Sequence, residues 1–118
     1  MDKDSGFEDK YKARRKFPRR EMHRQVGILC RGKYLMFSSV EIGEGGMSIQ
    51  SKYVLDKTSP IVVTFQIPGS GFVSLQAEVR STQKKDSESF VTHGVVFKNI
   101  QFSHKRLIRS YVSDRNRV

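Results

Sequence analysis

The residues best suited to chemistry lie near the N-terminus, where the segment RRKFPRR occupies residues 14–20. It places five cations within seven residues, and four of the five are arginines. A guanidinium group presents a rigid fork of donors that fits a phosphate or the O6/N7 edge of guanine. The charge alone leaves two interpretations open: a solvated basic tail in front of a small domain, or a site for an anionic ligand.

The chain that must position these cations has 118 residues, which is enough for one domain with one core. Its composition is 36% hydrophobic and 29% charged, and no apolar run approaches the ~18 residues that a membrane span needs. The N-terminus has no apolar signal segment, and Cys30 is the single cysteine. We therefore expect a cytoplasmic protein without a membrane span, a disulfide or a zinc site.

The net charge of +10 is concentrated at the two ends of the chain. Residues 1–33 contribute +6, residues 34–97 contribute −1 and residues 98–118 contribute +5. An anion-attracting surface is therefore expected where the two terminal segments lie on the fold. A nonspecific nucleic-acid binder would suit this charge, but the aromatic residues beside the cations form no recognisable nucleic-acid motif.

The middle of the chain alternates apolar and polar residues with period two, which is typical of half-buried strands. A short link joins the first two strands into a hairpin, and glycine-rich or proline-containing turns separate several of the others. A helix with an apolar stripe follows them, with Ser103 as its cap. The expected strands cover residues 25–31, 34–40, 47–51, 61–67, 73–80 and 90–97, and the helix covers residues 103–112.

Six consecutive short strands favour an antiparallel sheet that closes on itself, because closure removes exposed edges. The predicted fold is all-β with a C-terminal helix: a six-stranded antiparallel β-barrel with the helix against one mouth or side. The arginine run lies before the first strand, where Pro18 biases the chain to an extended loop. Between the second and third strands comes EIGEGG, residues 41–46, whose three glycines indicate tight turns or a backbone that something approaches closely.

These features resemble the PilZ family, the bacterial receptors for cyclic di-GMP. Arg15 and Arg19 match its RxxxR motif, and residues 41–46 stand where the family has [D/N]xSxxG. GGMSI at residues 45–49 and HGVVF at residues 93–97 also resemble the family's sequence. The resemblance covers residues 14–112 and implies one PilZ-like domain over residues 14–113, between a flexible leader at residues 1–13 and a basic tail at residues 114–118.

The resemblance also implies a ligand, cyclic di-GMP, and no other cofactor. Arg15 and Arg19 would take its phosphates and guanine edges, with Arg14 assisting or stacking on a base. Gly46 would let the backbone come close. The chain would act as a stand-alone receptor or adaptor that orders a mobile arginine loop around the ligand and signals to a separate protein.

The second motif departs from the family at two positions, where Glu41 replaces Asp or Asn and Gly43 replaces Ser. Glu41 keeps a carboxylate but carries it one methylene further, and Gly43 lacks the hydroxyl altogether. The loss of one hydrogen bond costs about 0.5–1.5 kcal/mol, so we expect weakened binding with the arginines intact. A degenerate adaptor that binds no cyclic di-GMP and acts through protein contacts is the alternative.

An enzyme is disfavoured by the residue pattern. His23, His93 and His104 are scattered, and no nucleophile, base or metal set has a recognisable spacing. Glu41 and Glu44 could suggest a metal pair, but two turn carboxylates without a third ligand are usually solvated. We therefore expect neither catalytic nor metal-binding residues.

Overall fold

The computed structural model describes residues 18–84, 87 and 89–114. In these residues no helix has the length and apolar character needed to cross a membrane. The described residues form seven strands and one helix: β1 (Arg19–Glu21), β2 (Gln25–Cys30), β3 (Lys33–Gly43), β4 (Gly46–Ser51), β5 (Pro60–Gln66), β6 (Phe72–Gln83), β7 (Val91–Phe97) and α1 (Phe102–Ser113).

All strand pairs are antiparallel, and the sheet runs in the order β1-β3-β2-β5-β6-β7-β4. Strand β4 pairs back onto β3, so the six strands β2 to β7 form a closed barrel. The predicted six-stranded antiparallel barrel with a C-terminal helix is confirmed. The short strand β1 is an addition that sits on the far end of β3.

The barrel interior is filled by alternate side chains of each strand. In β5, Ile61, Val63 and Phe65 point inward and are buried, while the residues between them are partly exposed. Helix α1 adds Ile108 and Val112 to the same core. The period-two pattern of the sequence therefore correctly predicts which side chains face the barrel interior, as expected for strands with one solvated side.

Strand β3 changes partners along its length. Its first half pairs with β2 as far as Ser38, and its last residues pair with both β1 and β4. The register against β4 shifts between Ser39 and Glu41, so Val40 forms a bulge. A bulge bends a strand and increases its twist, which turns the end of β3 toward a different neighbour.

Three local expectations were wrong. Arg19 and Arg20 belong to a strand instead of a loop, and the second predicted strand continues past Val40 to Gly43. The residue at the N-cap of α1 is Gln101, without a side-chain cap bond, and Ser103 lies inside the first turn. A three-residue charged strand has no periodicity of its own, so only its pairing with β3 reveals it.

His93 of β7 is completely buried beside Phe37. Its Nε2 accepts a hydrogen bond from the backbone N–H of Leu55 at 3.0 Å, and its Nδ1 has no hydrogen-bond partner among the described residues. Burial lowers the pKa of His93 below its ordinary value of 6.5. The folded barrel therefore holds this imidazole in its neutral form.

This burial predicts a pH dependence of stability. Below pH 6.5 the unfolded chain binds a proton at His93 that the folded barrel does not bind. The contribution of His93 to the free energy of unfolding is therefore fully present above pH 6.5 and is lost as the pH decreases. Urea unfolding at a series of pH values should show this decline, and His93→Gln should flatten it. His23→Gln, at an exposed position, is the control, and an equal effect of both variants would contradict the assignment.

Candidate functional site

Strand β1 places Arg19 beside the second half of the motif. Arg19 is the Cα partner of Gly43, and Glu21 is the partner of Glu41. The two segments are distant in sequence, but antiparallel pairing brings them side by side at the end of β3. The described parts of the two motifs therefore meet in space.

The link after β1 is fixed to β3 through Ser39. The buried Ser39 hydroxyl donates to the Met22 carbonyl and accepts from the Arg24 backbone N–H at 2.9 Å. The Met22 N–H also donates to the Val40 carbonyl at 3.0 Å, and the Met22 side chain is buried in the core. These bonds determine where β1 begins and ends, and hence where Arg19 lies.

The Arg19 side chain lies across Gly43 and toward Glu41. A Cβ atom at residue 43 would lie 3.2 Å from Cγ of Arg19 and 3.1 Å from the Pro18 carbonyl oxygen. The Arg19 Nη1 is 3.9 Å from Glu41 Oε2, and the two side chains are about one third exposed. Such a long, exposed pair contributes about 0–1 kcal/mol, so the guanidinium group is available to another anion.

Gly46 is packed against the barrel wall. A Cβ atom at this residue would lie 2.1 Å from the Val95 carbonyl oxygen and 3.1 Å from Cα of Val96. The predicted close approach therefore exists, but it is made by strand β7. Packing alone requires glycine here, and a ligand contact at Gly46 stays a prediction.

Arg20 points to the opposite side of β1 and contacts the C-terminal helix. Its Nη1 donates to the Tyr111 carbonyl at 2.8 Å, and its guanidinium carbon lies 4.1 Å from the centre of the Tyr111 ring. The Tyr111 hydroxyl in turn donates to the Glu21 carbonyl at 3.1 Å. One arginine thus combines a hydrogen bond with a cation–π contact, and β1 is attached to α1 as well as to β3.

Glu44 lies in the tight turn between β3 and β4 and is only 5% exposed. Its carboxylate receives two bonds from Arg109 of α1, from Nε at 2.9 Å and from Nη2 at 3.1 Å. Hydrogen bonding to Glu44, together with its charge, raises the pKa of Arg109. The expectation that Glu44 is simply solvated was wrong, because a fork-shaped pair of bonds attaches this turn to the helix.

Of the six residues named from the sequence, the structure brings Arg19, Glu41 and Gly43 into one surface and places Gly46 in the adjoining wall. Arg14 and Arg15 lie outside the described residues. The described residues contain no cluster of three or more side chains suited to a metal ion. Sequence reasoning missed these partners on α1, because Tyr111 and Arg109 follow their contacts by 90 and 65 residues.

A family model described as PilZ domain matches residues 13–114. The chain belongs to the PilZ family. The match includes both halves of the site and the helix that holds β1. A search of curated proteins finds no match to this chain.

Several solved structures share this PilZ fold. The inhibitor of motility MotI/DgrA of Bacillus subtilis superimposes with a TM-score of 0.78 at 14% identity, covering 88% of this chain and 53% of that protein. The PilZ domain of YcgR from Escherichia coli, solved with c-di-GMP, gives 0.71 at 13% identity, with 86% and 90% covered. The K. pneumonia MrkH–c-di-GMP complex gives 0.69 at 20% identity, with 86% and 52% covered. The chain thus spans about half the length of MotI/DgrA and MrkH.

The Glu44–Arg109 contact predicts that, in helix α1 of this PilZ domain, Arg109 contributes more to stability than Arg106. Arg109→Ala leaves the buried Glu44 carboxylate without its partner, whereas Arg106→Ala removes only a distant contact with the Phe102 ring at 5.7 Å. Thermal unfolding followed by circular dichroism should show a lower Tm for Arg109→Ala than for Arg106→Ala. Adding Glu44→Gln to Arg109→Ala should recover part of the loss, and equal Tm values for the two single variants would contradict the assignment.

Proposed function

We propose that this PilZ domain is a receptor for cyclic di-GMP and signals to a separate protein. The observation that carries the proposal is the position of Arg19, which β1 holds opposite Gly43 and beside Glu41. The described parts of the two PilZ motifs are thereby assembled before any ligand arrives. The c-di-GMP complexes of the YcgR PilZ domain and MrkH support the ligand class.

In this proposal the arginines supply most of the binding energy. Arg19 exchanges a 3.9 Å contact with Glu41 for bonds to a phosphate or a guanine edge. Because the Glu41 contact is long and exposed, breaking it costs little, whereas a hydrogen bond to a charged group contributes about 1.5–3 kcal/mol. Arg15 and Arg14, which precede β1 in the sequence, complete the set of cations.

The altered second motif weakens the site in two ways. Glu41 must leave Arg19 before it can accept a bond from a guanine, and Gly43 has no hydroxyl to offer. Each lost neutral hydrogen bond lowers the binding free energy by about 0.5–1.5 kcal/mol. The free energy lost with two neutral hydrogen bonds is smaller than the free energy that two charge-assisted arginine bonds contribute. Binding is therefore retained at reduced affinity.

The output of binding would pass through α1. Arg19 and Arg20 are adjacent in β1, and Arg20 is bonded to Tyr111 of the helix. A ligand that moves Arg19 would also move β1 and so alter the contact between Arg20 and Tyr111. The surface formed by β1 and α1 would then be the part of the molecule that a partner protein reads.

A ligand-independent adaptor is the second candidate. One observation favours it: Arg19 and Glu41 already face each other, so the positive charge of Arg19 is partly neutralised within the site. In that case β1 and α1 would form a permanent surface for protein contacts.

Isothermal titration calorimetry with cyclic di-GMP tests the receptor proposal. The chain should bind the dinucleotide, and Arg19→Ala or Arg15→Ala should weaken binding by at least about tenfold, because each removes charge-assisted bonds. Arg80→Ala is the matched control, since Arg80 is also exposed and also lies near a glutamate, Glu78, at 3.6 Å. No heat of binding in the unsubstituted chain would favour the adaptor, and binding that Arg19→Ala leaves intact would refute the site.

Restoring the family residues tests the account of the second motif. The double variant Glu41→Asp/Gly43→Ser should bind cyclic di-GMP more tightly by about 1–3 kcal/mol. Glu41→Asp/Gly43→Ala is the matched control, because Ala crowds Pro18 and Arg19 as Ser does but adds no hydroxyl. Equal affinities for the two double variants would mean that the hydroxyl at residue 43 plays no part.

A further inference from the structure

The outer wall of the barrel carries apolar side chains at positions where solvent-facing strand residues are normally polar. Leu29, Tyr34, Met36 and Phe72 are 43%, 60%, 47% and 73% exposed. Exposed apolar residues that cluster on one face often mark interaction sites. We call this set the outer-wall patch.

Strand register places the outer-wall patch on one face of neighbouring strands. Leu29 is the partner of Tyr34, and Gly27 is the partner of both Met36 and Thr64. A Cβ atom at Gly27 would lie 1.8 Å from the Tyr34 hydroxyl, so the Tyr34 side chain lies across β2 over this glycine. The aromatic ring therefore lies along the sheet and is accessible to a partner.

Two open hollows border the patch. One, of about 450 Å³, is lined by Leu29 and Val62, and the other, of about 380 Å³, is lined by Tyr34, Met36 and Phe72. Neither is lined by Arg19 or Glu41. Each has room for a large side chain of a partner, as the anchor residues of protein interfaces require.

The charges near the patch have a positive excess. Four cations stand against two carboxylates, and three of the cations pair with them: Glu78 lies 3.6 Å from Arg80 and from Lys98, and Asp56 lies 3.0 Å from Arg31. Arg24, the fourth cation, reaches only the neutral Gln66 among the described residues. A second copy of this chain would bring like charges together, whereas an acidic partner would find complementary ones.

We propose that the outer-wall patch docks an acidic protein segment that inserts apolar side chains beside Tyr34 and Phe72. The surface is present without a nucleotide and lies apart from Arg19, so the proposal is independent of cyclic di-GMP binding. This preformed wall, formed by β2, β3, β5 and β6, is a second interaction surface, separate from the surface of β1 and α1 that is proposed to report ligand binding.

Selection of a phage-displayed library of random peptides on the immobilised full chain tests the proposal. The enriched peptides should combine a net negative charge with aromatic or large aliphatic residues, and raising the salt concentration should weaken their binding. In fluorescence anisotropy with a synthetic copy of the most enriched peptide, Tyr34→Ser and Phe72→Ser should each weaken binding by at least about tenfold. Phe72 is the safer substitution, since its side chain is largely exposed at the start of β6.

Two controls make the result specific. Phe102→Ser removes an equally exposed phenylalanine, 67% accessible, from α1, and Arg19→Ala removes the proposed ligand contact; both should leave peptide affinity unchanged. No enrichment, enriched peptides without excess acidic residues, or binding that Phe72→Ser leaves intact would overturn the proposal. A dimer in analytical ultracentrifugation that Phe72→Ser dissociates would also overturn it, in favour of a second copy of this chain.

Discussion

The structure depends on the change of partners along β3. Its first half pairs with β2 as far as Ser38, its residues from Ser38 onward pair with β4 on the other edge, and beyond the bulge at Val40 its end also pairs with β1. The pairing with β4 closes the barrel, and the pairing with β1 creates the candidate site. Both pairings use the same few residues: Gly43 is the partner of Gly46 in β4 and of Arg19 in β1.

The same end of β3 is attached to the C-terminal helix at two points. Arg109 holds the turn that contains Glu44, and Tyr111 holds Arg20 and the carbonyl of Glu21. A three-residue strand has too few ladder bonds to be stable alone, so the contacts of Tyr111 contribute directly to the order of β1. The position of Arg19 therefore depends on side chains near the other end of the chain, and the helix contributes to the candidate site through β1.

Much of the fold could be predicted from sequence, because strands such as β5 and β6 are long enough for a clear period of two. The match of Arg19 to one motif and of residues 41–46 to the other was also visible. Strand β1 was missed because three charged residues have no pattern, and its partners are distant in sequence. The burial of Glu44 was missed for the same reason: a buried carboxylate needs a cation, and Arg109 comes 65 residues later.

The two departures from the family motif are better understood as one adaptation than as two separate losses. A side chain at residue 43 would make close steric contacts with the Pro18 carbonyl oxygen and with Arg19. Glycine therefore lets β1 lie closer to β3. The longer carboxylate of Glu41 reaches toward the guanidinium group of Arg19. Both changes favour the paired strand in the absence of a ligand, and under the receptor proposal a dinucleotide would have to compete with this state. Since the competing ion pair is long and exposed, it would oppose binding by about 1 kcal/mol at most, which lowers the affinity without preventing binding.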